Sequence, residues 1–463
     1  MVTNQFRNRK YHFTNDSYVF LVLLHLVIGV CVFYIPLFPK VYFAVTSLYF
    51  LVQVLAAPNQ SKTMWVLLGC AYIAAAESLF RMTGGGLFYE FSKYYIILLV
   101  LIGMFYKGVS GNGYAYFIYL LLLLPSVFVA STTLGIDLDF RKSIAFVLSG
   151  PICLGASALY CYEKRITQEQ LFQILAYLTF PILSMMMYLF MYNPSIKEVL
   201  KGTGSNFEAS GGFGPNQVAT LLGLAMVTLT VRFFLKSPSL FLKIFNLILL
   251  SLVSFRALVT FSRGGVFTAI LMIIAFLFVL YGNSKYKQRQ KIIGSLVLLA
   301  IGVMITWAFT TNQTDGLIEN RYTNKNAKGL EKDDVSTGRV DLITREFEGF
   351  LRHPFLGVGA NGMKQIRLEE EGEIIASHNE VSRLFSEHGI FGVIILLLLI
   401  FTPLVFRSRY KGNLLFYSFI IFWFATINHS AMRIAAPGFI YGLALLHIIN
   451  EKKRPLHRKR VIQ

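Results

Sequence analysis

The runs KIIGSLVLLAIGVMITWAFT (residues 291–310) and GIFGVIILLLLIFTPLVF (residues 389–406) flank a polar stretch from Thr311 to His388. Each run has about the ~20 residues that a helix needs to cross a hydrocarbon core. The stretch between them holds Ser336-Thr337-Gly338-Arg339 and Ser377-His378-Asn379. A histidine and several arginines gathered beside a membrane, rather than buried in it, point to chemistry at the membrane surface.

Working outward, about fourteen windows of spanning length can be drawn. They lie near 18–36, 39–57, 64–82, 93–110, 113–131, 143–162, 170–192, 215–236, 241–260, 264–282, 291–310, 389–406, 412–428 and 434–450. The chain therefore reads as an all-α polytopic membrane protein with about 12–14 transmembrane helices and one large external loop that itself contains helices. Apolar residues make up 55% of it, charged residues 14%, and mean hydropathy is +0.58. Such a composition belongs in a lipid bilayer. Met1 to Asp16 is polar and basic, with no small-residue cleavage site after the first apolar run, so Tyr18 to Pro36 is expected as a retained signal anchor.

The formal charge of +19 does not imply nucleic acid, because the lysines and arginines sit in short clusters between apolar runs. With Arg7, Arg9 and Lys10 in the cytoplasm, the clusters at Lys164/Arg165, Arg232/Lys236, Lys285 to Lys291, Arg407 to Lys411 and Lys452 to Arg460 also fall inside. Thr311 to His388 then lies outside, with the 193–214 loop, the turn at Phe261 to Gly264 and the turn at Asn428 to Arg433. The four cysteines, Cys31, Cys70, Cys153 and Cys161, have neither a close pair nor C-x-x-C spacing, which indicates no disulfide framework or zinc site.

Several residues on that face could carry chemistry. Ser262-Arg263-Gly264-Gly265 opens a helix, and a serine at the N-cap, free first-turn N–H groups and a guanidinium fork suit a phosphate or diphosphate. An arginine anchoring a span at the headgroups is the simpler alternative. Arg339 precedes apolar residues at Val340, Ile343, Phe347, Phe350 and Leu351, the pattern of an amphipathic helix lying on the membrane or against the bundle. A cation in a first helical turn opposes the helix dipole and makes more sense with an anion bound there. His378, near another helix start, is kept neutral by the dipole and is able to take a proton from a hydroxyl; a capping or merely exposed histidine is the other reading. Glu77 and Arg81, four apart near the outer end of one span, and Arg256 near that of another, fit either structural pairing or a polar cavity opening outward. Gly357 to Gly362 matches G-x-G-x-x-G but follows no strand, so it reads as a tight turn. The run Glu369-Glu370-Glu371 with Glu373 reads as a solvated face, and no metal site is expected.

Taken together, Gly212-Phe213-Gly214-Pro215-Asn216-Gln217, Thr260-Phe261-Ser262-Arg263-Gly264-Gly265, Thr337-Gly338-Arg339, His353-Pro354-Phe355-Leu356-Gly357-Val358-Gly359, Ser377-His378-Asn379 and Glu387-His388-Gly389-Ile390-Phe391-Gly392 resemble the O-antigen ligase/polymerase superfamily over roughly 205–405. The resemblance implies a bacterial inner-membrane glycosyltransferase with a GT-C-like helical fold and a periplasmic active face. Such an enzyme takes a glycan from undecaprenyl diphosphate and joins it to a hydroxyl of a glycolipid or glycan acceptor, without a required metal or other cofactor. By motif, Arg263 and Arg339 would bind the diphosphate, and His378 would be the general base. Ser262, Asn216, Asn379 and Arg256 would line the substrate site. The chain divides on this reading into N-terminal helices (1–200), a ligase-like core (205–405, with the loop 311–388) and C-terminal helices with a basic tail (406–463). The short 193–214 loop favours a ligase over a polymerase. A lipid-linked glycan transporter, the reading from another class, would call for repeated halves, and no internal repeat is visible.

Overall fold

A computed structural model describes residues 13–135, 138–200, 202–332, 338–372, 377 and 379–449. His378, Ser336, Thr337 and Glu373 lie outside the described residues, as do Arg7, Arg9, Lys10 and the basic tail.

Helices dominate the chain. The first group is α1 (Asn15–Tyr34), α2 (Phe38–Ala56), α3 (Asn59–Met82), α4 (Phe91–Lys107), α5 (Tyr114–Leu122), α6 (Leu124–Thr133), α7 (Phe140–Cys161) and α8 (Gln168–Tyr192). After the short α9 (Ile196–Val199) come α10 (Pro215–Leu235), α11 (Leu240–Val259), α12 (Arg263–Gly282) and α13 (Tyr286–Gln313). The polar stretch folds into α14 (Leu317–Tyr322), α15 (Arg339–Arg352), α16 (Gly362–Glu371) and α17 (Glu380–His388). The chain then returns through α18 (Ile390–Arg409), α19 (Phe416–His429) and α20 (Ala436–Ala444). Strands β1 (Arg165–Thr167) and β2 (His447–Ile449) form one parallel pair.

Among the described residues, 11 helices are long and apolar enough to span a membrane, with Gly111–Thr133 counted as one. This is an all-α, multi-pass membrane protein. The remaining windows fall short in helical length: α4 has 17 residues, α19 has 14 and α20 has 9. Instead of filling 434–450, the last helix stops at Ala444 and the chain turns into β2. Every residue of α20 is buried.

Burial sorts the spans. In α3 and α10 the buried share of the spanning window is 83% and 89%, whereas in α1, α2, α13 and α18 it is 28% or less. The inner helices carry small residues that let neighbours approach, as membrane packing without a hydrophobic drive requires. A Cβ on Gly69 of α3 would stand 2.8 Å from Leu99, and one on Gly223 of α10 would stand 2.6 Å from the Gly265 carbonyl of α12.

Connections collect at two ends. At one, Lys164 Nζ donates to the carbonyls of Lys107 (3.0 Å) and Gly108 (2.7 Å), Tyr410 donates to Glu163 (3.0 Å), and β1 meets β2. At the other, the polar stretch gathers the turns between α11 and α12 and between α19 and α20.

Candidate functional site

Phe261 turns the chain from α11 into α12 with a left-handed φ of +58°, a costly conformation for an aromatic residue that its surroundings must hold. Its carbonyl accepts from Arg321 Nε at 3.0 Å. The turn delivers Arg263 to the first position of α12. Both glycines that follow are packing requirements: a Cβ on Gly264 would lie 2.5 Å from the His429 ring, and one on Gly265 would lie 2.6 Å from the Ala219 carbonyl. The motif therefore wedges the start of α12 between α10 and the end of α19. Ser262 holds the N-cap position, but its hydroxyl does not cap; it donates to Asn216 Oδ1 at 2.7 Å. The hydroxyl is turned toward the α10 start and accepts from no first-turn N–H, which corrects the expected capping role. Thr220 Oγ1 donates to the Asn216 carbonyl at 2.7 Å and lies 3.3 Å from His429 Nε2, while His429 Nδ1 lies 2.8 Å from the Ala425 carbonyl.

Around this turn lies a field of one sign. Burial, then the positive charges of Arg263 and Arg339, hold the Arg321 guanidinium down at about 10. Arg339, half-buried at the first position of α15, is lowered by burial and then by Arg263. Lys332 is lowered by burial, Arg321 and Arg263. The positive charge of Arg339 also reaches His429 and Arg433. Like charges near two helix starts are the chemistry that suits an anion.

The residues flanking position 378 join the end of α19 and the turn after it. Asn379 caps α17, its Oδ1 accepting from Val381 (2.8 Å) and Ser382 (3.2 Å), and its Nδ2 donates to Asn428 Oδ1 at 3.2 Å. The Ser377 carbonyl accepts from Arg433 Nη2 at 2.9 Å. Arg433 is in turn fixed from the N-terminal half. Arg81 Nη1 donates to its carbonyl at 2.9 Å, Arg81 Nη2 pairs with Glu77 at 2.5 Å, and the other Glu77 oxygen accepts the Ala435 N–H at 2.6 Å. Glu90, Lys93 and Ser149 extend the network, and Met432 N–H reaches Glu380, which pairs with Arg383. Of the two sequence readings for Glu77 and Arg81, the buried ion pair is the one found.

Arg256 stands apart. It is fully buried, donates to the Ala209 carbonyl at 2.9 Å and lies over Phe190, so in the structure it fastens the 193–214 loop. Glu369 and Glu370 are exposed on α16.

Gly357 to Gly362 is a turn, as expected, with φ of +70° at Gly357 and +84° at Gly359. Its N–H groups serve carbonyls at the ends of two helices: Val358 to Ser386 (2.9 Å), Gly359 to Glu387 (3.2 Å) and Ala360 to Ser126 (2.9 Å). A Cβ on Gly359 would meet Ala130 N at 2.5 Å, which is why no side chain fits. Behind this turn, burial raises the Glu387 carboxyl from 4.5 to about 7, against the pull of Arg383. Between those values it is protonated in the fold and ionised in the unfolded chain, so the unfolded state binds fewer protons and stability falls as pH rises through that window. Glu387→Gln is expected to flatten the thermal midpoint against pH across the same range; an unchanged slope would assign the dependence elsewhere.

Sequence reasoning missed Arg321, His429, Arg433 and the Glu77–Arg81 support. The one available signal for Arg433 was the outward placement of the turn at Asn428 to Arg433. The others depend on which helices touch.

A helical membrane bundle with a cationic, arginine-lined surface region is chemically suited to an anionic ligand. Residues 247–397 match the family model described as O-Antigen ligase. The matched stretch is about a third of the chain and is similar to the O-antigen ligase-related superfamily, which supports a ligase/polymerase-type membrane enzyme. No curated protein matches the chain. The matched stretch contains Arg256, Ser262, Arg263, Arg321, Arg339, His378 and Asn379, whereas Asn216, His429 and Arg433 come from outside it.

Proposed function

We propose that the protein transfers a glycan from undecaprenyl diphosphate to an acceptor hydroxyl at the periplasmic face of the bacterial inner membrane, as an O-antigen ligase. The observation that carries this reading is the shared positive field of Arg263 and Arg339, each at a helix start, and Arg321, bonded to the Phe261 turn, inside the stretch that matches the family.

In the proposed step His378 takes the acceptor hydroxyl proton. The oxygen forms a bond to the anomeric carbon as the carbon–oxygen bond to the diphosphate breaks, with inversion at that carbon. Undecaprenyl diphosphate leaves with the bonding pair, and its added negative charge is stabilised by Arg263 and Arg339, with Arg321 beside them. Ser262, Asn216 and Asn379 act as polar supports of the site, and Arg256 acts through the 193–214 loop. The donor's lipid tail stays in the bilayer while its diphosphate meets the guanidinium groups at the surface.

The test is a glycolipid profile of cells lacking the gene, complemented with the native chain or with His378→Ala. Long glycans retained on undecaprenyl diphosphate and missing from the surface acceptor, restored by the native chain alone, are the expected result. An acceptor carrying only one repeat unit identifies a polymerase. Donor confined to the cytoplasmic leaflet identifies a transporter, and an unchanged profile overturns the reading.

A further inference from the structure

Helix α15 has three faces rather than two. At about 100° per residue, Glu346 and Gly349 share one side with Phe350, and that side is fastened to the protein. Glu346 accepts from Ser382 Oγ at 2.5 Å and pairs with Arg367 at 3.4 Å, and Phe350 packs on Phe385. A second side holds Asp341, Glu348 and Arg352, exposed and charged, as suits water. The third side is apolar and uncovered: Val340 is 58% exposed, Phe347 49% and Leu351 61%, with Ile343 among them.

This apolar face does not stop with the helix. Phe355, 76% exposed, and Leu356 follow it directly. The Pro354 carbonyl accepts from Ile390 N–H, the first residue of α18, at 2.8 Å. A Cβ on Gly389 would stand 2.6 Å from the Phe355 carbonyl carbon, so this segment rests on the start of α18. From that point the exposed side chains Ile390, Ile394, Leu397 and Phe401 run down α18, a span only 28% buried by protein. The uncovered face of α15 is thus continuous with a surface that lipid covers.

We propose that α15 is an interfacial helix, with Val340, Ile343, Phe347 and Leu351 set into the apolar edge of the leaflet and the charged side facing water. A bilayer accounts for all three faces at once, because only a polar–apolar boundary meets an apolar and a charged surface on adjacent sides of one helix. The arrangement holds Arg339, at the start of α15, at headgroup height, the depth at which a lipid-borne anion sits. The inference stands on exposure and continuity and does not require the enzymatic reading.

The experiment uses the full chain in phosphatidylcholine vesicles, with or without brominated acyl chains, which quench tryptophan on contact. Phe347→Trp and Leu351→Trp probe the apolar face, and Arg352→Trp probes the charged one, each read as the emission added to that of the parent protein. The expected result is at least about twofold quenching of the added emission at 347 and 351 and little at 352. Emission at 347 and 351 that is blue-shifted but unquenched would place a second protein copy on this face and overturn the proposal. Equal, water-like emission at all three positions would overturn it as well.

Discussion

Arg263→Ala is expected to slow glycan transfer by about 10²-fold or more, the usual effect of removing one donor aimed at charge that develops in the transition state. The effect should fall on the rate constant more than on KM, because the leaving diphosphate gains charge only as the bond breaks. Arg263 is suited to such a role because the left-handed Phe261 turn sets it at the start of α12, while Gly264 and Gly265 lock that start against His429 and Ala219. Arg263→Lys keeps the charge without the planar fork and should give an intermediate rate. The measurement is single-turnover release of undecaprenyl diphosphate by purified protein, with the thermal midpoint followed alongside. A folded Arg263→Ala protein that turns over at the native rate would remove Arg263 from the reaction.

Glu77→Ala should cost more in stability than any other single change considered. Glu77 is 1% exposed, and its two oxygens satisfy Arg81 and the Ala435 N–H. Its removal takes the near carboxylate from a buried guanidinium and leaves only Glu90 at 3.8 Å, an effect of up to about 3–5 kcal/mol. It also strips the acceptor from a backbone N–H, at about 1–3 kcal/mol more. The two losses share one network and will not add fully. Arg81 also holds the Arg433 carbonyl, so the turn that touches Ser377 should shift and transfer should fall even where protein survives. Thermal unfolding in detergent reads the first effect. In the double variant with Arg81→Ala, a total loss smaller than the sum of the two single losses would mark the pair as coupled; simple addition would show that it is not.

Arg263 and Arg339 were legible as helix-start arginines because their motifs are local: Ser262-Arg263-Gly264-Gly265 and Gly338-Arg339 each sit at a helix start that sequence pattern announces. Arg321 carries no such pattern, and its place beside Arg263 follows from a hydrogen bond to the Phe261 carbonyl across sixty positions of chain. Ser262 shows the opposite case. Its position was readable, but its hydroxyl donates to Asn216 because α10 packs there, a contact that a one-dimensional reading cannot place.

The sequence by itself determined that this is a helical membrane protein with one polar stretch at its surface, since hydropathy and helical period are properties of neighbouring residues. It also determined the fate of Gly357 and Gly359, whose tight turn is written in their residue type. Only the tertiary structure decided that Glu77 and Arg81, from a half of the chain without distinctive motifs, support Arg433, that Arg256 belongs to a loop rather than to the cationic field, and that α15 leaves its apolar side uncovered. The physical reason is the same in each case. The partner of a buried charge, and what covers a helix face, are fixed by contacts between segments tens to hundreds of positions apart, and those contacts exist only once the bundle has assembled.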